Sequence, residues 1–298
     1  MTFLWILEGL RTPLFNQIMQ IITYFGQEIF TLAVICILYW CIDKRFAYLL
    51  GFTYFTAGLS VQTLKITFRI PRPWILDPSF KPVSSAVAGA TGYSFPSGHT
   101  QNATCLFIPL AIKSNKKWHK VLCVLAFLLI AFSRMYLGCH TPKDVLTAIL
   151  VSLFFVWLIG HFQKYFLDDS KHRKYIALAL ILVSCTVAAY ALLLSSGGVI
   201  TSPYAKDCCK AAGAGLGFAC GWYLEQSILH FDTTTRHRWS QVLKAVIGLL
   251  LTLALKELIP VILGTSSIAK FLEYFILVIW VLNIYPYLFT KFSNIKFV

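Results

Sequence analysis

Long apolar stretches separated by short polar turns run along almost the whole chain. Residues 27–42, 46–66, 121–137, 144–163, 175–195, 209–229, 241–259 and 268–290 are predominantly apolar. Each approaches the roughly 20 such residues that an α-helix needs to cross a bilayer. Residues 97–112 are more polar, but the alternation of sides along the chain requires a crossing there as well. Strict period-2 alternation is absent, which argues against a β-barrel. The pattern predicts an all-α polytopic membrane bundle of about nine transmembrane helices. The opening stretch, MTFLWILEGLRTPLFNQIMQIITYFG, carries Glu8, Arg11, Asn16, Gln17 and Gln20. It is expected to lie in the interface as an amphipathic helix. It lacks the basic start and small-residue cleavage site of a removable signal peptide.

Composition sharpens this picture. Hydrophobic residues make up 58% of the 298 and charged residues 13%, against about 25% charged in soluble proteins. The net charge of +14 would suggest nucleic acid in a soluble chain. Here the basic residues fall in short loops, so no nucleic-acid partner is expected. Lys44 and Arg45, then Lys113, Lys116, Lys117 and Lys120, then Lys164, Lys171, Arg173 and Lys174, then Arg236 and Arg238, and finally Lys291 and Lys296, share one side if all nine segments cross. The excess of Lys and Arg in cytoplasmic loops makes that side cytoplasmic. Residues 67–96, 134–143, 196–208 and 260–267 then face outward, and a multi-pass protein of the cell membrane is expected.

Chemistry concentrates on the outer face, in KITFRIPRP (65–73), PSGH (96–99) and SRMYLGCHTPKD (133–144). Thr141, Pro142 and Asp144 read as a helix start, with Asp144 one turn beyond His140. Its carboxylate can accept a proton from one imidazole nitrogen, leaving the other as a nucleophile. Arg134 ends the preceding helix and can face the same point. Ser97 and Gly98 open a helix whose free N–H groups suit an anion, with His99 beside it as general acid. Pro71 and Pro73 end the helix carrying Lys65 and hold Arg72 at its mouth. Arg gives phosphate bidentate contacts and Lys adds a point charge. Any one of these residues alone would read as a cap or a snorkelling side chain. Two histidines and three cations on one face read as a site.

These three stretches, K-x6-R-P at Lys65–Pro73, P-S-G-H at Pro96–His99 and S-R-x5-H-x3-D at Ser133–Asp144, resemble the three signatures of the type 2 phosphatidic acid phosphatase superfamily. The flanking LYWCIDKR (38–45) and FPSGHTQNA (95–103) look most like sphingosine-1-phosphate phosphatases and their bacterial relatives. The resemblance implies a membrane lipid phosphatase, and the polar run QKYFLDDSKHRK (163–174) is expected to separate a catalytic helical core, residues 1–165, from appended transmembrane helices over 166–298. It implies that His140 attacks phosphorus to give a phosphohistidine, with Asp144 in support and His99 protonating the leaving alkoxide. Lys65, Arg72, Ser97, the Gly98 N–H and Arg134 would hold the phosphoryl oxygens. No metal or other cofactor is expected, since the cations supply the charge stabilisation. The partners would be a lipid phosphate substrate and membrane lipids. Transfer of the phosphoryl group to another lipid or a glycan would use the same residues. A haloperoxidase fits the membrane spans poorly. A lipid or anion transporter would not need a His–Asp pair at one-turn spacing.

Other features read as structural. Gly213, Gly217 and Gly221, four apart, suit close helix packing. Glu225, Lys256 and Glu257 are charges near apolar spans, expected to pair or to line a lipid entrance. Residues 77–94 are expected to be a flexible cover for the site, with Lys81 within reach of a head group. Most of the nine cysteines read as small core residues, with Cys208 and Cys209 adjacent in a loop.

Overall fold

The computed structural model describes residues 1–234 and 238–293. The described residues are helical with no strand. In chain order the helices are α1 (Thr2–Gly9), α2 (Pro13–Tyr24), α3 (Glu28–Ile37, continued by a wide turn over Leu38–Ile42), α4 (Lys44–Phe68), α5 (Pro73–Leu76), α6 (Ser84–Val87), α7 (Gly98–Lys113), α8 (Lys117–Tyr136), α9 (Pro142–His161), α10 (Gln163–Leu167), α11 (Ser170–Ser196), α12 (Ser202–Leu224), α13 (Arg238–Leu263), α14 (Ser267–Ile279) and α15 (Tyr285–Ser293).

Among the described residues five helical stretches are long and apolar enough to cross a membrane: α8, α9, α11, Trp239–Leu263 and Ser267–Lys291. A sixth would be the pair α2–α3, which is bent by 43°. Helices α4, α7 and α12, expected from the sequence as crossings, are not among them; α7, at 16 residues, is shorter than the roughly 20 a crossing needs. In the 16 residues of α7, Thr100, Gln101, Asn102 and Thr104 are all buried. Polar side chains turned inward lower a helix's mean hydropathy without facing lipid. The N-terminal stretch, expected as one interfacial helix, is instead α1 and α2, with α2 continuing through the bend into α3. Arg236 and Lys296 lie outside the described residues.

The chain forms two compact units, residues 1–32 with 60–160 and residues 33–59 with 161–298. In the first, Ala103 of α7 and Phe127 and Ile130 of α8 form a core joined by Ile22 and Ile149. Leu4 and Leu7 of α1 pack on Phe80, with Trp74 and Phe132 alongside. Tyr136, Leu137 and Cys139 pack on Ala86 of α6, covered by Met19. Thr12 caps α2 by accepting from Phe15 N, with Pro13 in the first turn. The N-terminal helices and residues 74–90 thus build on the end of α8 that carries Arg134.

In the second unit the glycine ridge of α12 meets the helix that follows α13. A Cβ on Gly217 would lie 2.8 Å from the Phe275 carbonyl, and one on Gly221 2.9 Å from Asn283 Oδ1. Close backbone approach is what small residues give a membrane helix pair. Glu225 is fully buried and binds Lys44 Nζ at 2.7 Å, Phe231 N at 2.8 Å, Gln226 Nε2 at 2.7 Å and the Tyr48 hydroxyl. It is therefore a structural anchor, paired with Lys44 rather than with Lys256. Lys256 and Glu257 approach each other to 3.9 Å. Cys208 and Cys209 are not in a loop: both are buried in α12. All nine cysteines are unpaired.

Candidate active site

Helix α4 carries Lys65 in its last turn and stops because Pro71 and Pro73 cannot continue it. Arg69 takes up the left-handed conformation (φ 51°), uncommon for a residue with a Cβ, and so turns the chain toward Arg72. The Arg72 side chain is 5% exposed and donates to the carbonyls of Gly92 (3.0 Å), Thr91 (2.5 Å) and Cys139 (3.0 Å). Lys65 Nζ donates to the Tyr93 carbonyl at 2.6 Å. The segment expected as a flexible cover thus ends in three carbonyls that hold two of the site's cations. The Lys81 side chain is exposed, while its carbonyl accepts from Arg11 Nη1.

Ser97 caps α7, its Oγ accepting from Thr100 N at 3.4 Å, and its own N–H donates to the Asp144 carbonyl at 3.1 Å. A Cβ on Gly98 would meet nothing within 4 Å. The first turn of α7 therefore opens onto free space, where its N–H groups suit an anion. His99 follows, within electrostatic reach of Arg134, His140, Arg72 and Lys65.

Helix α8 ends in a Schellman turn. Gly138 is left-handed (φ 80°), Cys139 N donates to the Arg134 carbonyl and Gly138 N to that of Met135, both at 3.0 Å. This geometry requires glycine there. A Cβ on Gly138 would also lie 2.9 Å from the Phe80 ring. The turn delivers His140, 1% exposed, directly beneath Arg134. At the start of α9 the Asp144 Oδ2 accepts from Thr141 N at 2.8 Å, closing the cap read from the sequence.

His140 Nε2 lies 2.8 Å from Arg72 Nη1. A guanidinium only donates, so Nε2 is the accepting nitrogen and the imidazole proton sits on Nδ1. Burial, and then Arg72, Arg134 and Lys65, push His140 well below its ordinary value of 6.5. The ring is neutral at neutral pH. Nδ1 stands 3.6 Å from Asp144 Oδ2, beyond hydrogen-bond reach. The direct His–Asp hydrogen bond expected from the spacing is not formed; Asp144 Oδ2 instead accepts from Ser94 Oγ at 2.5 Å, and the Ser94 N–H donates to the Ile70 carbonyl at 2.8 Å. Ser94 thus ties all three stretches together.

Arg134, 2% exposed, donates through Nη1 to Thr23 Oγ1 of α2 at 2.9 Å. Its Nε and Nη2 are buried with no hydrogen-bond partner among the described residues. The site therefore gathers Lys65, Arg72, Ser97, Gly98, His99, Arg134, His140 and Asp144 in one unit. Ser94 and Thr23 are additions. Ser94 is foreshadowed only by standing just ahead of the PSGH stretch, and Thr23 by nothing. Among the described residues no three His, Cys, Asp or Glu side chains cluster as a metal-ligand set.

A family model described as "PAP2 superfamily" matches residues 46–168, and one described as "PAP2 superfamily phosphatase, transmembrane extension" matches 209–296. The chain is 27% identical over 166 residues to "Phosphatidylglycerophosphatase B" of Bacillus subtilis, covering 52% of this chain and 78% of that protein. It is 31% identical over 108 residues to "Undecaprenyl-diphosphatase BcrC" of the same organism, covering 36% of this chain and 53% of the relative. It is 23% identical over 270 residues to "Sphingosine-1-phosphate phosphatase 1" of Mus musculus, covering 83% of this chain and 61% of the relative. No solved structure gives a significant match.

Proposed function

We propose that this chain, in which a PAP2 superfamily domain is joined to the superfamily's phosphatase transmembrane extension, removes phosphate from a membrane lipid through a phosphohistidine. It is an integral multi-pass membrane protein and a phosphoric monoester or pyrophosphate hydrolase. The observation that carries the mechanism is the convergence of Arg72, Arg134 and Lys65 on two histidines, one of which keeps a neutral, accepting Nε2.

In the first step Arg72 leaves Nε2 for a phosphoryl oxygen and Nε2 attacks phosphorus. The bond from phosphorus to the lipid oxygen breaks, and His99, an imidazolium once the bound phosphate offsets the surrounding cations, gives that oxygen its proton. In the second step His99 takes a proton from water as the water oxygen attacks phosphorus. The bond to His140 breaks, and inorganic phosphate leaves. Asp144 supports the imidazolium character that grows on His140. The Nε–Nη2 edge of Arg134, the Arg72 guanidinium, Lys65, the Ser97 hydroxyl and the Gly98 N–H hold the equatorial oxygens. Three cations against one carboxylate supply the electrostatic stabilisation for which many phosphoryl-transfer enzymes use a metal, so the reaction needs none.

The substrate is a lipid phosphate monoester or pyrophosphate, a class supported by the names of the relatives. The nine-crossing arrangement, the outward-facing site in the cell membrane and the division into a catalytic core (1–165) and appended helices (166–298) complete the reading. They are supported by the one-sided basic clusters and by the separate match of 209–296. The test is release of inorganic phosphate by the purified protein in detergent with EDTA present, across sphingoid, diacyl and polyprenyl phosphates. Turnover of at least one lipid class supports the proposal. Loss of turnover on chelation, or no turnover of any class, refutes it.

A further inference from the structure

Helix α2 lies outside the residues matched by the PAP2 model, yet it reaches the phosphate site. Thr23 is 1% exposed, and its Oγ1 accepts from Arg134 Nη1 at 2.9 Å. This leaves Nε and Nη2, the two nitrogens of the guanidinium's side-on edge, buried and without partners among the described residues. That edge is the one suited to paired contacts with two phosphate oxygens. By contrast, Arg72 already donates to Gly92, Thr91, Cys139 and His140.

The height of Thr23 is fixed three residues on. The Gly26 carbonyl accepts from Asn102 Nδ2 at 3.0 Å. A Cβ on Gly26 would lie 2.6 Å from Ile130 Cγ2 and 3.1 Å from the His99 carbonyl. The end of α2 is thus seated between α7 and α8, against the backbone of His99, with Thr23 turned onto Arg134.

We infer that Thr23 is a positioning residue for phosphate binding: its hydroxyl holds one arm of Arg134 so that the Nε–Nη2 edge is presented to the phosphoryl oxygens. The inference rests on the phosphatase reading of the site. Without the hydroxyl, a buried Nη1 loses its acceptor, and the guanidinium is free to turn its paired edge away. The N-terminal helix is then part of the active site rather than a membrane anchor alone.

The experiment compares wild type, Thr23→Val, Thr23→Ser and Thr31→Val in detergent. Thr31 is fully buried, and its hydroxyl has no hydrogen-bond partner among the described residues, so Thr31→Val repeats the same chemical change at a hydroxyl that does not hold Arg134. Binding of orthovanadate, a phosphate analogue, is read by thermal shift, and kcat/KM is read on a lipid phosphate. Thr23→Val is expected to weaken orthovanadate binding and lower kcat/KM in parallel, each about tenfold. Its ligand-free melting temperature should stay within about 4 °C of wild type. Thr23→Ser should restore both quantities to within about threefold, and Thr31→Val should change neither. Equal orthovanadate affinity in Thr23→Val and wild type, or a loss that Ser does not rescue, overturns the inference. A wild type that binds orthovanadate but hydrolyses no lipid phosphate sinks the phosphatase reading while the Thr23 comparison still decides the positioning. A wild type that binds no orthovanadate overturns both.

Discussion

The guanidinium of Arg72 covers the accepting nitrogen of His140, Nη1 to Nε2, at 2.8 Å. On the proposed mechanism, this contact holds His140 in its reactive tautomer and shields it until a phosphate draws the arginine away. The same cation helps keep the imidazole neutral, after burial and ahead of Arg134 and Lys65.

This relationship sets the pH dependence. His140 lies well below 6.5, so kcat/KM should hold through neutral pH and fall only at an acid midpoint below that value. Arg72→Gln removes a cation that lowers the pKa, and its residual activity should lose its acid limb at a higher pH. The shift also bears on stability. As pH falls through about 6.5, the unfolded chain takes up this proton before the folded one, so stability declines on the acid side. An acid limb that stays in place or moves down in Arg72→Gln would count against the pairing.

Ser94 aligns Asp144 with His140 through its 2.5 Å hydrogen bond. Ser94→Ala should lower kcat about tenfold, the scale of one hydrogen bond to a charged group, with a smaller change in KM. Steady-state kinetics on a single lipid phosphate check this. An unchanged kcat would mean that Thr141 N alone orients the carboxylate.

Glu225 serves the fold of the second unit. Removing one partner of a buried ion pair typically costs about 3–5 kcal/mol, and Glu225→Ala strands Lys44 and the Phe231 N–H. Its melting temperature in detergent should fall well below that of wild type, while turnover per folded molecule is unaffected. A normal melting temperature would contradict the anchoring role.

Much of the site was legible because its parts carry local signals. Two prolines stop α4 beside Arg72, a serine caps α7, and Thr141, Pro142 and Asp144 open α9 just after His140. Each is a short-range rule that needs no knowledge of the rest of the chain. Thr23, Ser94 and the carbonyls of 91–93 were not legible. Their roles depend on which distant segment they meet, and a lone threonine in IITYFG reads as one more apolar position. The helix count is less legible for a related reason. Helix α7 is only 16 residues long and turns a polar face inward, and the 43° bend between α2 and α3 falls where the amphipathic start meets the apolar segment 27–42. Cys208 and Cys209, expected in a loop, are buried in α12, which begins at Ser202.

The proposed outward-facing site rests on the basic clusters in short loops. With the native cysteines replaced, Ser85→Cys should react with a membrane-impermeant thiol reagent on intact cells, and Ser114→Cys only after lysis. The opposite pattern would move the site to the cytoplasmic face and change the pool of reachable lipids.

The central claim is a covalent phosphoryl group on His140, and trapping it is the most direct measurement. Wild type, His140→Ala and His99→Ala are mixed briefly with a lipid carrying labelled phosphate, quenched in alkali to spare phosphohistidine, and mapped by peptide. The account predicts label on the peptide containing His140 in wild type and none in His140→Ala. Both variants should release phosphate at least ~10³-fold more slowly than wild type. A wild type that turns over without acquiring label, or a His140→Ala variant that labels or turns over normally, would contradict it.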